Sequence, residues 1–163
     1  MSSVCGASER RNGRERGFTL AELLVVVIII GILAAVSVPI YLNQRKAAWD
    51  SAALNDAKNA QTAIETAMAA NNGTLTGISI SGYSVSSTGH VHGVANPCDG
   101  TQAQATSMDI RKVGRDVGVI TCSAGVSLEI VPNGASYTIT AHHVNGTATY
   151  SYDSATDAAV HKV

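Results

Sequence analysis

Large aromatic side chains are scarce. The 163 residues include one Trp, one Phe and five Tyr, while Ser, Thr, Gly and Ala fill much of the remainder. That composition suits a small core under a polar, β-rich surface. Chemistry-bearing constellations are scarce as well. No Gly-rich phosphate loop, no nucleophile with its base, and no facing pair of acids occurs at a familiar spacing. Of the three Cys, the two beyond the N-terminal segment, Cys98 and Cys122, are too few for a metal site unless His joins them. An enzyme is therefore not expected. Charge is missing altogether from Leu23 to Gln44, and that absence organises the chain.

A spanning helix needs about 20 apolar residues, which Leu23 to Leu42 supply. Before them stand Arg10, Arg11, Arg14 and Arg16 against Glu9 and Glu15. Positive charge beside an apolar run holds that flank in the cytoplasm, so the remaining chain would lie across the membrane. One acid, Glu22, sits at the mouth of the run. An ionisable group at the edge of a lipid-embedded helix is by default a functional hypothesis. The Thr19-x-x-Glu22 spacing also fits a capping box, with a hydroxyl at the helix start and a carboxylate three residues on. Gly31 and Ala35 are four apart and would let another helix approach closely. Pro39 should kink the helix. An ordinary secretory signal peptide ending at Ala35-Val36-Ser37 is the rival reading, but the run continues past that site.

From residue 45 the character changes. Ten of residues 47–70 are Ala, a composition of high helix propensity. Leu54, Ala57, Ala60, Ile64, Ala67 and Met68 form an apolar stripe at helical spacing. Asp50, Asp56 and Glu65 lie largely off it. Asn71-Asn72-Gly73 should end the helix with left-handed backbone angles. A helix from Phe18 to about Ala70 would be roughly 80 Å long. Its first half is apolar all round and is too long for so small a domain to shelter. Lipid or copies of the same chain must cover it.

Residues 74–117 read as loop-rich, with short strands at Ile78–Ile80 and Tyr83–Val85, and with 109–116 as a charged turn or short helix. Residues 119–152 read as a three-stranded antiparallel meander. Pro132-Asn133-Gly134 turns it once, and Asn145-Gly146 carries a two-residue hairpin signal. The expected fold class is α+β: a long N-terminal helix, half membrane-spanning and half amphipathic, packed on a small antiparallel β-sheet headgroup. No internal repeat appears.

A short charged leader ending in Gly17, then Phe18-Thr19-Leu20-Ala21-Glu22, then an apolar helix with Gly31 and Pro39, resembles the type IV pilin family, which includes type II secretion pseudopilins and competence pilins. About residues 9 to 60 carry the resemblance. It implies a leader 1–17 removed by a prepilin peptidase, an N-methylated Phe18, an apolar half 18–44, an amphipathic half 45–72 and a headgroup 73–163. It implies that Glu22 neutralises the Phe18 amine of a neighbouring subunit, and that Gly31–Pro39 loses helicity within a filament. The implied partners are copies of the chain, the pilus assembly machinery, and the cytoplasmic membrane. The protein would be single-pass with its N-terminus inside, and extracellular after assembly. The alternatives are a pseudopilin, a minor or competence pilin, and a monomeric membrane-anchored binding module.

Loss of the leader would remove Cys5 and leave seven basic against ten acidic residues, so nucleic acid is possible as a partner but not indicated. Cys98 and Cys122 form an even pair outside the cytoplasm, which favours a disulfide over two buried thiols. His90-x-His92 and His142-His143 are weak metal candidates, and Asp153 with Asp157 a weak calcium candidate. Arg111-Lys112-x-x-Arg115 is diluted by Asp109 and Asp116. Turn chemistry explains the sequons at Asn72 and Asn145. No cofactor is expected.

Overall fold

The computed structural model describes residues 17–80, 83–85, 91–93, 97–112 and 115–163; for 83–85 and 91–93 it describes the backbone. The chain divides into two compact units, Met1–Ile40 and Tyr41–Val163. One helix, α1 (Leu20–Ala69, 50 residues), contributes to both. It runs on through Pro39. In the first unit every described residue is exposed. The Leu, Val and Ile side chains from Leu20 to Ile40 each keep between 49% and 82% of their surface accessible.

In the second unit α1 buries Ala53, Asp56, Ala57, Ala60, Ile64 and Ala67. The stripe thus begins with Ala53, while Leu54 and Met68 stand at its margins half-buried. Four of those six residues are Ala, so the sheets come close to the helix backbone. The helix ends as its sequence requires. Asn72 (φ 55°) and Gly73 (φ 74°) take left-handed angles, and the amides of Asn71 and Gly73 both donate to the Met68 carbonyl. The Asn71 side chain then donates to the carbonyls of Thr74 and Thr76.

The fold is α+β, with two antiparallel sheets where one was expected. The first sheet has the order β3-β2-β1-β4-β5. Its strands are β1 (Ile78–Ile80), β2 (Tyr83–Val85), β3 (Val91–Gly93), β4 (Thr106–Lys112) and β5 (Arg115–Cys122). The second runs β6-β7-β8-β9, from β6 (Val126–Asn133), β7 (Ser136–His143), β8 (Thr149–Asp153) and β9 (His161–Lys162). A single core joins them: Ile78, Met108, Ile110 and Ile120 from the first sheet, Leu128, Ile130, Tyr137 and Ile139 from the second, and Ile64 from the helix.

Two local expectations are corrected. Residues 109–116 are neither a turn nor a helix, because they belong to the β4–β5 pair. Met108 and Ile110 point inward while Arg111 and Asp116 face solvent, so the charges hid a period-two pattern. Residues 119–122 accordingly pair with β4 instead of opening the meander. Asn145-Gly146 does not form a two-residue hairpin either. The strands β7 and β8 part at His142↔Thr149, and Gly146 lacks the positive φ such a turn needs. The helix is the reason. Asp50 Oδ1 accepts from the amides of Thr147 (2.7 Å) and Ala148 (3.0 Å), and Oδ2 accepts from the Thr147 hydroxyl (2.8 Å). The loop is pulled onto α1. A Cβ at Gly146 would collide with the Asp50 carboxylate, so a larger residue there would have to displace this latch.

Two more helix acids act likewise. Asp56 accepts from the Ser123 amide (2.6 Å) and hydroxyl (3.1 Å). Glu65 accepts from the buried Tyr137 hydroxyl (2.7 Å), with Tyr152 at 3.5 Å. Three carboxylates therefore latch the loop before β8, the end of β5 and the start of β7 to the helix. Cys98 and Cys122 are joined in a buried disulfide, Cα–Cα 6.1 Å. It ties the segment before β4 to the end of β5. That segment lies along β6, where the Leu128 amide donates to the Cys98 carbonyl, and the Gln102 side chain donates to the Ser123 and Val126 carbonyls.

Burial raises the Asp56 carboxyl above its ordinary value, against the opposing pull of the two Ser123 donors. A carboxyl that holds its proton more tightly when folded adds stability that is full below about pH 3.8 and lost as pH rises through the folded value. Asp56→Asn should retain the fold near neutrality and flatten this part of the stability profile. Asp56→Ala should cost about 1–3 kcal/mol by stranding the Ser123 amide. Denaturant unfolding at a series of pH values measures both. Replacing both Cys98 and Cys122 by Ser should cost roughly 3.5 kcal/mol on the loop-entropy account, read by the same unfolding measurement.

Candidate site at the helix start

The first turn of α1 is built by Thr19 and Glu22. Thr19 is the N-cap and Glu22 the third helical residue. The Thr19 amide donates to Glu22 Oε2 (2.9 Å), the Thr19 hydroxyl donates to the same oxygen (2.8 Å), and the Glu22 amide donates to Thr19 Oγ1 (3.2 Å). The capping box read from the spacing is present, and it satisfies helix-end donors that would otherwise lack partners. It also fixes the carboxylate. Oε2 is occupied twice, while Oε1 has no partner among the described residues. The acid is held toward the positive end of the helix dipole with one oxygen free.

Phe18 stands just outside this turn, 88% exposed, and Gly17 precedes it in non-helical backbone. A side chain at Gly31 would meet nothing within 4 Å, so this position is open to an incoming helix. Ser37 donates its hydroxyl to the Leu33 carbonyl (2.7 Å), which satisfies it within the apolar run. Pro39 has no amide to donate to Ala35. Among the described residues α1 is the one helix long and apolar enough to cross a membrane, with a mean hydropathy of 3.1 over its best stretch.

The other candidate residues are scattered. His90 lies outside the described residues, as do residues 1–16 with Cys5, and of His92 only the backbone is described. His142 is exposed and His143 buried, on opposite faces of β7. Among the described residues no three His, Cys, Asp or Glu gather as a metal cluster would. Asp157 accepts from the Asp153 amide (2.7 Å), and Asp153 from the Ala155 amide (2.9 Å), which is turn chemistry. Arg111 is paired with Asp116 (2.8 Å) and Asp109 (3.5 Å). Of the two sequons, Asn72 ends α1, and Asn145 precedes a Thr147 committed to Asp50.

Sequence reasoning missed the three helix latches and the contact of Trp49 with His143. One signal was present. Asp56 and Glu65 have no base three or four residues away on the helix, so neither is a solvated helix pair.

The model of a prokaryotic N-terminal methylation motif matches residues 12–38. The chain is 44% identical over 54 residues to the type IV major fimbrial protein FimA of Dichelobacter nodosus, which covers 33% of this chain and 35% of that protein. It is 46% identical over 54 residues to the type IV major pilin protein PilA of Myxococcus xanthus, covering 33% and 24%. It is 36% identical over 52 residues to type II secretion system core protein G of Pectobacterium carotovorum, covering 32% and 33%. The match thus spans a third or less of the chain, and between about a quarter and a third of each of these relatives.

Thr19→Ala should loosen the first helical turn by about 1 kcal/mol, and Thr19→Ser should restore it. Hydrogen exchange of the Glu22 and Leu23 amides, which donate to Thr19, measures this in detergent as roughly fivefold faster exchange in the Ala variant alone.

Proposed function

We propose that this chain, which carries the N-terminal motif of the type IV pilin family, is a structural subunit that is cut after Gly17 and polymerises through α1 into an extracellular filament. One observation carries the proposal: a Gly-Phe junction and a capped acid open the uncharged stretch of α1, Leu23 to Gln44, in which every residue is exposed. Lipid covers that helix before assembly, with the chain's N-terminus in the cytoplasm. Copies of the chain cover it afterwards. Processing by a prepilin peptidase leaves Phe18 as the first residue, and N-methylation keeps its amine charged. That amine then meets Glu22 of a neighbouring subunit. A carboxylate in apolar surroundings is costly, and a fixed cation at hydrogen-bond distance offsets the cost. The free Oε1 of Glu22 is the atom available for the pairing. Gly31 admits a neighbouring helix, and the stretch from Gly31 to Pro39 unwinds within the filament. The three latches keep the headgroup on its helix outside the cell, and the disulfide braces the headgroup itself.

A type II secretion pseudopilin is the second reading, favoured by the similarity to core protein G. It shares the anchor, the cut and the Glu22 pairing, and differs in where the filament ends. Filaments sheared from the cell surface mark the first reading. Short filaments kept within the envelope mark the second.

Mass analysis of the filament fraction should give a chain beginning at methylated Phe18. A chain beginning at Val38 would be the product of a signal peptidase and would reject the proposal. Glu22→Ala should leave the protein in the membrane and lower filament yield by an order of magnitude or more, since a pairing of about 1.5 kcal/mol or above is lost at every subunit. Normal filament yield from this variant would rule the pairing out.

A further inference from the structure

Where the uncharged stretch ends, α1 carries Tyr41, Arg45, Lys46 and Trp49 in quick succession. Tyr41, Arg45 and Trp49 are four apart in turn and share one side of the helix. Trp49 is the only tryptophan of the chain. Its indole is half-buried and stacks on His143, with ring centroids 5.3 Å apart and planes at 17°. The Arg45 guanidinium lies over the same indole, 4.9 Å from its centroid. The His143 ring is itself held, because its Nδ1 accepts the Asn145 amide (3.0 Å). The headgroup thus fixes the indole, and the indole orients the arginine.

Arg45 and Lys46 are exposed. Neither forms an ion pair among the described residues. The nearest acids along the helix, Asp50 and Asp56, are committed to Thr147, Ala148 and Ser123. Two unneutralised cations beside an amphipathic aromatic pair call for an anionic partner. Their position says which one. The uncharged stretch from Leu23 to Gln44, at 1.5 Å per residue, is about 33 Å long, close to the hydrocarbon thickness of a bilayer. Arg45 and Lys46 therefore arrive at the level of the lipid phosphates, and Tyr41 and Trp49 at the interfacial zone where such rings prefer to lie.

We infer that Tyr41, Arg45, Lys46 and Trp49 form a lipid-phosphate anchor, which fixes the depth of the chain in the bilayer before assembly. The inference rests on the reading that the preceding stretch spans a membrane. Arg45 supplies a planar fork for phosphate oxygens and Lys46 a second charge. Stacking keeps Arg45 in place, so little rotamer freedom remains to be lost on binding.

Trp49 fluorescence tests this with the full chain reconstituted in phosphatidylglycerol vesicles containing lipids brominated at either shallow or deep chain positions. Shallow bromine should quench Trp49 about twofold more than deep bromine, as an interfacial indole requires. Replacing Arg45 and Lys46 together by Ala should lower the shallow quenching by about half, and Lys58→Ala, an exposed cation farther along the helix, should leave it unchanged. The unaltered chain in vesicles of uncharged glycolipid, which lack phosphate, should behave as the double variant does. Equal quenching in the double variant and the unaltered chain would overturn the inference, and so would quenching in glycolipid equal to that in phosphatidylglycerol. A chain that does not remain with the vesicles overturns the anchor and the membrane-spanning reading together. A chain that quenches as expected yet never forms filaments leaves the anchor standing and removes only the subunit role.

Discussion

The structure depends on one constraint: an uncharged helical stretch that nothing in its own unit covers. Side chains such as Val25, Ile28, Ile32 and Val36 each keep more than half of their surface accessible. A buried Leu, Ile or Val is worth about 1.5–3 kcal/mol relative to an exposed one, so a row of them left in water would be untenable. The chain has to be read with its surroundings, which under the proposed function are lipid at first and sister helices later. Both surroundings exclude water, and both make Glu22 expensive. This is why a single acid at the start of the helix carries so much of the account. In lipid it sits at the edge, tied to Thr19. Among copies, as in the proposed filament, it would need a cation, and the new amino terminus proposed at Phe18 would supply one.

The second unit solves a different problem. Its helix face is mostly alanine, which brings the sheets close but offers little apolar surface per residue. Polar latches make up part of the deficit. Asp50, Asp56 and Glu65 each reach a donor on a different part of the headgroup. Burial raises Asp56 above the ordinary carboxylate value. For Asp50 burial also pulls upward, but its hydrogen bonds to Ala148 and Thr147, with the charge of Lys162, win and set it below. The two therefore act in opposite directions with pH: the Asp50 contribution is present above about pH 3.8 and lost as pH falls through its folded value. The buried disulfide adds a constraint that is independent of pH.

Much of this was legible in the sequence. Local signals with a single cause were read directly: the capping box at Thr19 and Glu22, the left-handed stop at Asn72-Gly73, and the alternation along β6 and β7. The turn expected at Pro132-Asn133-Gly134 is present but falls on Gly134 and Ala135, with Pro132 and Asn133 still paired in β6. The failures share a cause as well. At Asn145-Gly146 the local preference was overruled by a helix residue 97 positions away in sequence, Asp50 to Thr147. In β4 and β5 the outward charges masked an inward row of Met108, Ile110 and Ile120. The Trp49–His143 stack likewise needs the folded headgroup to bring its partners together. At the candidate site the capping geometry could be foreseen, but not that both bonds fall on Oε2 and leave Oε1 open.

The central claim is that water never has access to the apolar stretch, first because of lipid and then because of sister helices. Ile32→Cys places a single reactive thiol in its middle, since Cys98 and Cys122 are bonded to each other and Cys5 precedes the proposed cut. The measurement is labelling of that thiol by a water-soluble maleimide, together with oxidative cross-linking, in membrane and filament fractions. The account predicts negligible labelling in both fractions, and cross-linked dimers in the filament fraction. Rapid labelling of an uncross-linked chain in aqueous solution would contradict it.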